Sequence, residues 1–161
     1  PVTARPRARC RAMPGASPDH RQPHGLPRTA DDLRQHCCIA HPFGIGKQYR
    51  LSRNGATLTV PVNWSFHTNE TAVLRRAVLS GAGIGMLPTY YLDDGLAAGR
   101  LVHLLPDYEP EVLGIHAIYL SRQHQPLALR LLVDFLAARF GGELAPWDLA
   151  LNEKLVSAVA G

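Results

Sequence analysis

The repeat of apolar and polar positions is clearest between residues 68 and 88. Val73, Leu74, Ala77 and Val78 recur at helical spacing, with Arg75 and Arg76 turned towards water. That spacing predicts an amphipathic helix. Thr68 and Asn69 are both N-cap types, and Glu70 puts a negative charge in the first turn, where the helix dipole favours it. Gly81 is placed to end the helix in a left-handed conformation. Ile84, Met86 and Leu87 then read as a strand buried on both faces and closed by Pro88. A helix feeding a buried strand through a short glycine turn is half of a β-α-β unit. The loop over residues 66–69, at the helix N-terminus, is where such units bind anions.

The remaining pattern alternates between short strands and helices. Residues 1–15 show no usable periodicity and are expected to be an irregular basic leader. Ser17 caps a short helix with Pro18 in its first position, and Gly25 with Pro27 stops it. Thr29 caps a second short helix over residues 30–36, with Asp31 and Asp32 in its first turn. Residues 37–40 form an apolar strand, and Gly44 and Gly46 mark a loop. Two β-prone runs, 49–51 and 56–62, flank Asn54-Gly55, the strongest hairpin signal in the chain. Residues 101–105 read as a strand stopped by Pro106, and residues 115–120 as another. Residues 126–140 are the longest helix, with Leu129, Leu132, Val133, Leu136 and Phe140 on one face. Gly141-Gly142 ends it, and the tail over 141–161 reads as helical. The class is α/β, with a largely parallel sheet and one antiparallel hairpin.

Composition narrows the class without changing it. The 161 residues are 46% hydrophobic and 19% charged, as in a globular protein. No apolar run approaches the roughly 20 residues that a membrane helix needs. The N-terminus has charge without an apolar core behind it, so no secretory signal is visible, and the chain begins at Pro1, as a fragment would. The net charge of +4 comes largely from the front of the chain, where Arg5, Arg7, Arg9 and Arg11 alternate with small residues. A phosphate-binding arm and an arginine-rich disordered end both fit; the second is favoured, because no aromatic residues interleave to stack bases. Cys10, Cys37 and Cys38 are an odd set with no Cys-x-x-Cys, the usage of a reduced, cytoplasmic protein. In a strand, Cys37 and Cys38 point to opposite faces, one core and one partly exposed.

Several ordered segments resemble one family. Ala16-Ser17-Pro18, Gly25-Leu26-Pro27-Arg28-Thr29-Ala30-Asp31-Asp32-Leu33, His36-Cys37, Thr68-Asn69 and the run from Ala77 to Pro88 carry the resemblance. Leu96 to Pro106, Ile115 to Tyr119, Ser121-Arg122 and Val133-Asp134-Phe135-Leu136 complete it. Together they resemble the effector-binding domain of LysR-type transcriptional regulators over residues 12–140. The resemblance implies a periplasmic-binding-protein-like (type 2) fold of two α/β lobes joined by two crossing strands. The second lobe, residues 16–105, is nearly complete. The first lobe is largely missing and is represented by a return strand and helix within residues 106–140. Residues 1–11 do not look like the family, and Asp19-His20-Arg21-Gln22-Pro23 stands where the family has an apolar-aromatic helix turn. The helix over 126–140 would lack much of the lobe it packs on, so the chain alone is expected to expose an apolar patch and to be unstable or oligomeric.

The resemblance also implies the chemistry. The chain would be the sensor portion of a DNA-binding regulator, taking a small, anionic metabolite in a cleft and acting as a dimer or tetramer in the cytoplasm. DNA contact would run only through the absent winged helix-turn-helix domain, with no cofactor, no metal, no membrane and no catalysis. A solute-binding protein of a transporter shares the fold and is the second reading; an enzyme on this fold is the third. Thr68 and Asn69 fit either a carboxylate site or plain capping. Phe66 fits packing on an apolar ligand or a core aromatic, and Ser17 a ligand contact or a cap. His116 fits a cleft residue or an ordinary strand histidine. None of the eight histidines has His-x-x-x-His or His-Glu-x-x-His spacing in a continuous helix, since His20 and His24 straddle Pro23. There is no Gly-x-Ser-x-Gly. The glycines over 81–85 precede a strand, the reverse of a dinucleotide fingerprint.

Overall fold

The computed structural model describes residues 2–20, 25–41, 48–109, 111–120, 126–142, 145–149 and 151, with side chains from Ala8 onward and Asp93 excepted. The expected break at Pro23, His24, the loop at Gly44 and Gly46, Ser121-Arg122 and the tail from 152 onward lie outside the described residues. In chain order the elements are β1 (Val2–Ala16), a 3-10 turn (Pro18–His20), a 3-10 helix (Asp31–Gln35), β2 (Cys37–Ala40), β3 (Gln48–Arg53), β4 (Ala56–Pro61) and β5 (Asn63–His67). There follow α1 (Thr71–Leu79), β6 (Ile84–Pro88), a 3-10 turn (Thr89–Tyr91), α2 (Asp93–Ala97), β7 (Val102–His103), β8 (Glu111–Leu120) and α3 (Leu127–Phe140). The chain divides into two compact units, one over Ala12–Glu111 and one formed by Pro1–Arg11 with Val112–Gly161.

The first fifteen residues correct the expectation of an irregular leader. From Val2 onward they are strand β1. The arginines at 5, 7, 9 and 11 alternate with small residues, which is the two-residue period of a strand. Ala8, Cys10 and Ala12 are buried while Arg9 is exposed, as that period requires.

The larger unit is a sheet in the order β5-β2-β6-β1-β7. β2 is parallel to β5, with Ala40 opposite His67, and parallel to β6, with Cys38 opposite Ile84. α1 supplies the crossover from β5 to β6 that parallel pairing needs. β1 and β7 continue beyond β6 in the antiparallel sense, Gly15 opposite Gly85 and His103. The sheet is therefore mixed. Alternation of elements along the chain carries no information about these added strands. β7 stops two residues short of the expected end, because Leu105 takes a φ of +53° just before Pro106.

The β6 reading holds: all five of its residues are buried. α1 starts one residue later than expected, at Thr71, with Glu70 in the N-cap position. It ends in a Schellman turn, where Gly81 at φ +79° donates to the Val78 carbonyl and Ala82 to that of Ala77. Leu74 and Val78 reach the core, but Val73 is exposed. Arg75 does not simply face water: it donates to the Tyr91 carbonyl at 3.0 Å and pairs with Asp94. Gly85 lets α1 approach β6, since a Cβ there would lie 2.6 Å from Val78 Cγ2.

The helix over 30–36 is a 3-10 helix, and its cap differs from the expected one. The Asp32 carboxylate accepts the backbone N–H groups of Arg28 and Thr29, each at 2.9 Å. Those two donors hold it below the usual carboxylate range. β3 and β4 form the expected hairpin as a separate two-stranded sheet, with Asn54 and Gly55 at φ +52° and +74°. The pair of positive φ values marks a type I′ turn. The Tyr49 hydroxyl ties the hairpin to the main sheet, 2.9 Å from the Ile39 carbonyl and 3.0 Å from that of Ile84. Its ring meets Trp64 edge-on at 5.2 Å. Cys38 is buried and Cys37 exposed, as strand alternation predicts, and burial pushes the Cys38 thiol up to about 12.

The smaller unit is built from the front of β1, β8, α3 and a helical turn over 146–149. Arg11 pairs with the buried Asp148 at 3.3 Å, and Phe140 lies 5.7 Å from Trp147 between ring centres. Of the residues in α3, only Val133 is buried. The apolar patch expected here is present: Leu127, Leu131, Leu132 and Phe135 are all exposed.

Candidate functional site

Parallel strands collect their C-terminal ends on one side of a sheet, and ligands of open α/β folds bind there. In the larger unit those ends are Ala40, His67 and Pro88. The residues that follow β2 and β5 meet at the start of α1. The Thr68 N–H donates to the Ala40 carbonyl at 3.0 Å, and the Thr68 hydroxyl accepts the Glu70 N–H at 3.1 Å. Thr68 thus caps the turn ahead of α1 rather than the helix itself. Next to it, the Thr71 hydroxyl lies 3.4 Å from His41 Nε2.

Asn69 and Phe66 are exposed at the same end, while Thr68 and His41 are buried. The first intrahelical bond of α1 is donated by Leu74 to the Glu70 carbonyl. The N–H groups of Thr71, Ala72 and Val73 have no intrahelical acceptor, which is the usual anion-holding end of a helix. Burial, followed by the neighbouring His67, pushes His41 below the ordinary imidazole value; Glu70 pulls the other way. The site therefore offers N–H groups, two hydroxyls, an amide and two imidazoles, opposed by one carboxylate at the N-cap. It can hold a small polar or anionic group.

The structure brings the expected Thr68, Asn69 and Phe66 to one end of the sheet and adds His41 and Thr71, which the sequence did not single out. The signal for His41 was its place directly after the β2 strand. Ser17 was grouped with Thr68, and the structure separates them. β1 runs antiparallel to β6, so its C-terminal end lies beside Ile84 and Gly85, at the opposite end of the sheet. There Ser17 is buried, its hydroxyl has no hydrogen-bond partner among the described residues, and it packs against the turn at Gly81.

The wider comparison decides the family. The LysR substrate binding domain family matches residues 1–141. The chain belongs to that family. Residues 1–11, which had looked unlike it, lie inside the matched span. The LysR domain is 33% identical over 120 residues to the probable HTH-type transcriptional regulator LtrA of Klebsiella pneumoniae, covering 72% of this chain and 39% of that protein. It is 32% identical over 132 residues to the HTH-type transcriptional regulator PtxR of Pseudomonas aeruginosa, covering 82% and 40%. The chain thus spans about two fifths of the length of these relatives. The regulatory domain of AphB from Vibrio vulnificus superposes with a TM-score of 0.70 at 28% identity, over 85% of this chain and 68% of that one. The fold is accordingly the periplasmic-binding-protein-like (type 2) fold of LysR regulatory domains, with the second lobe nearly complete and the first largely missing. Relatives that are transcriptional regulators favour the sensor reading over a transporter's solute-binding protein.

In the LysR domain's smaller unit, His116 is exposed on β8 and lines a cavity of about 310 Å³ with Ala8, Leu136, Phe140 and Trp147. The lining is almost wholly apolar and shares no residue with the Thr68 group. Elsewhere, His20 pairs with His36, Nε2 to Nδ1 at 3.3 Å, both buried. Among the described residues no group of three or more His, Cys, Asp or Glu side chains is gathered as a metal would need. No helix of the described residues is long and apolar enough to cross a membrane.

Proposed function

We propose that this chain is the effector-sensing part of a LysR-type transcriptional regulator and binds a small, anionic metabolite without catalysing a reaction. The family match over residues 1–141 carries the reading. The binding site is the group at the C-terminal ends of β2 and β5, where Thr68, Asn69 and Thr71 supply polar groups and Phe66 an apolar wall. Glu70 works against an anion, so the ligand is bound through several short contacts rather than through bulk charge. Ser17 lies at the opposite end of the sheet from this group and we give it a packing role, while His116 belongs to the smaller unit. In the whole regulator the effector would shift the balance between two lobe arrangements and so alter contacts between subunits of a homo-oligomer. DNA would be held by a winged helix-turn-helix domain that these residues do not include, in the cytoplasm.

Thermal shift of the chain against a panel of aromatic and aliphatic carboxylates tests the reading. A true effector at a hundred times its Kd raises Tm by about 5 °C or more. Thr68→Ala removes most of that shift, and Glu70→Gln enlarges it. Ligand stabilisation that is unchanged in Thr68→Ala overturns the site.

A further inference from the structure

At the candidate site a hydrogen bond joins a buried titratable ring to the first residue of α1. His41 follows β2 directly, and its Nε2 lies 3.4 Å from the Thr71 hydroxyl. The bond from the Thr68 N–H to the Ala40 carbonyl holds that spacing. Thr71 opens α1, so its hydroxyl stands beside its own backbone N–H, which has no intrahelical acceptor. A hydroxyl has one hydrogen to donate, and an imidazole nitrogen either donates or accepts. While Nε2 is bare, the Thr71 hydrogen is held by His41. Once Nε2 carries a hydrogen the bond reverses, and the Thr71 O–H is released towards an anion at the helix N–H groups. Charge points the same way. Among the described residues the titratable groups that act on His41 are His67 at the end of β5, which opposes a cation there, and Glu70 at the N-cap of α1, which favours one. Both are exposed, whereas His41 is buried. Glu70 repels an arriving carboxylate, and a positive charge on His41 offsets that repulsion.

We propose that a carboxylate effector is bound together with one proton, which His41 Nε2 takes up as Thr71 turns its O–H to the ligand. The inference rests on the site proposed above and adds its regulation, an affinity set by pH. One N–H bond forms at Nε2, the proton comes from the solvent, and no other covalent bond changes. The bound carboxylate favours the imidazolium, as an opposite charge does. In the ligand-free site burial pushes His41 below the ordinary imidazole value, so at neutral pH the ring is uncharged and binding draws a proton in. By linkage, affinity rises as pH falls through the window between the ligand-bound His41 value and the lower ligand-free one. The rise is at most about tenfold per pH unit, and affinity levels off below that window.

The test follows the full chain by NMR with benzoate as the probe and chloride at equal ionic strength as the control. Backbone amide shifts over residues 69–73 report binding, and the ring nitrogen and proton shifts of His41 report its protonation. Saturating benzoate should raise the proton affinity of His41 about tenfold, and the benzoate Kd should tighten to match between about pH 8 and about pH 5.5. Thr71→Val keeps the branched shape without the hydroxyl and should remove most of that pH dependence. Thr71→Ser should retain it, so a folding defect in one variant does not decide the outcome. Amides that respond to benzoate while the His41 titration stays unchanged overturn the proton coupling and leave the site standing. Amides that do not respond overturn the site and the coupling with it. Two further results also sink the coupling: a ligand-free Nε2 that carries hydrogen at every pH, or Thr71→Val with the pH dependence of the unaltered chain.

Discussion

Two imidazoles in the larger unit, His41 and His103, are kept neutral chiefly by the same cause. Burial strips water from the charged form and pushes both below the ordinary value, and His67 adds like-charge repulsion at His41. The unfolded chain therefore takes up protons before the folded one does. Stability is fully present above the unfolded imidazole value of about 6.5 and is lost as pH falls through it towards the folded values. Tm should drop between about pH 7.5 and about pH 5, and His41→Gln with His103→Gln should flatten that slope. A slope unchanged in the double variant would sink the account. Glu111, pushed up by burial against the pull of Arg50, has the opposite sign, which is why the variants and not the raw profile decide. Thr68 could be named in advance because cap chemistry shows in its neighbours. His41 follows β2 directly, but its place beside Thr71 depends on the β2–β5 register, which local pattern does not show.

Among elements, α1, β2 and β6 approach one another closely at two glycines. A Cβ at Gly85 would press on the side chains of Val78 and Leu74, whereas one at Gly83 would meet the Cys37 carbonyl oxygen at 2.7 Å. Gly85→Ala should cost about 1–3 kcal/mol, as overpacking does. Gly83→Ala should cost at least as much, because a strand carbonyl cannot rotate away as a side chain can. Urea unfolding of both variants measures the order, and a neutral Gly83→Ala would contradict it. The helix–glycine–strand run was legible because cap, stop and apolar period agree there. β1 was misread because four arginines and two prolines looked like composition bias and hid a two-residue alternation. The short β7 shows the reverse error: apolar content extended a strand that the backbone at Leu105 ends.

At the scale of the molecule, the two units differ in how much core they own. The larger buries Leu33, Ile39, Leu74, Ile84 and Leu87 completely, while the smaller leaves most of α3 open. Amides of β6 should exchange only on global opening, and those of β8 and α3 about a hundredfold faster, since local stability follows buried contacts. Hydrogen exchange read by mass spectrometry checks this, and equal protection in both units would refute it. The two-lobe architecture was legible only through the ordered family segments. Local pattern alone ends at α/β, because lobe membership is a matter of which strands pair across long separations. The division between units also falls between the two aromatic pairs: Trp64 against Tyr49 belongs to one and Trp147 against Phe140 to the other. With two tryptophans in the whole chain, each unit carries a single tryptophan that can be excited apart from the tyrosines. Replacing either one leaves a label that reports on the other unit alone, with no dye attached, and Trp64 stands two residues from Phe66 at the candidate site.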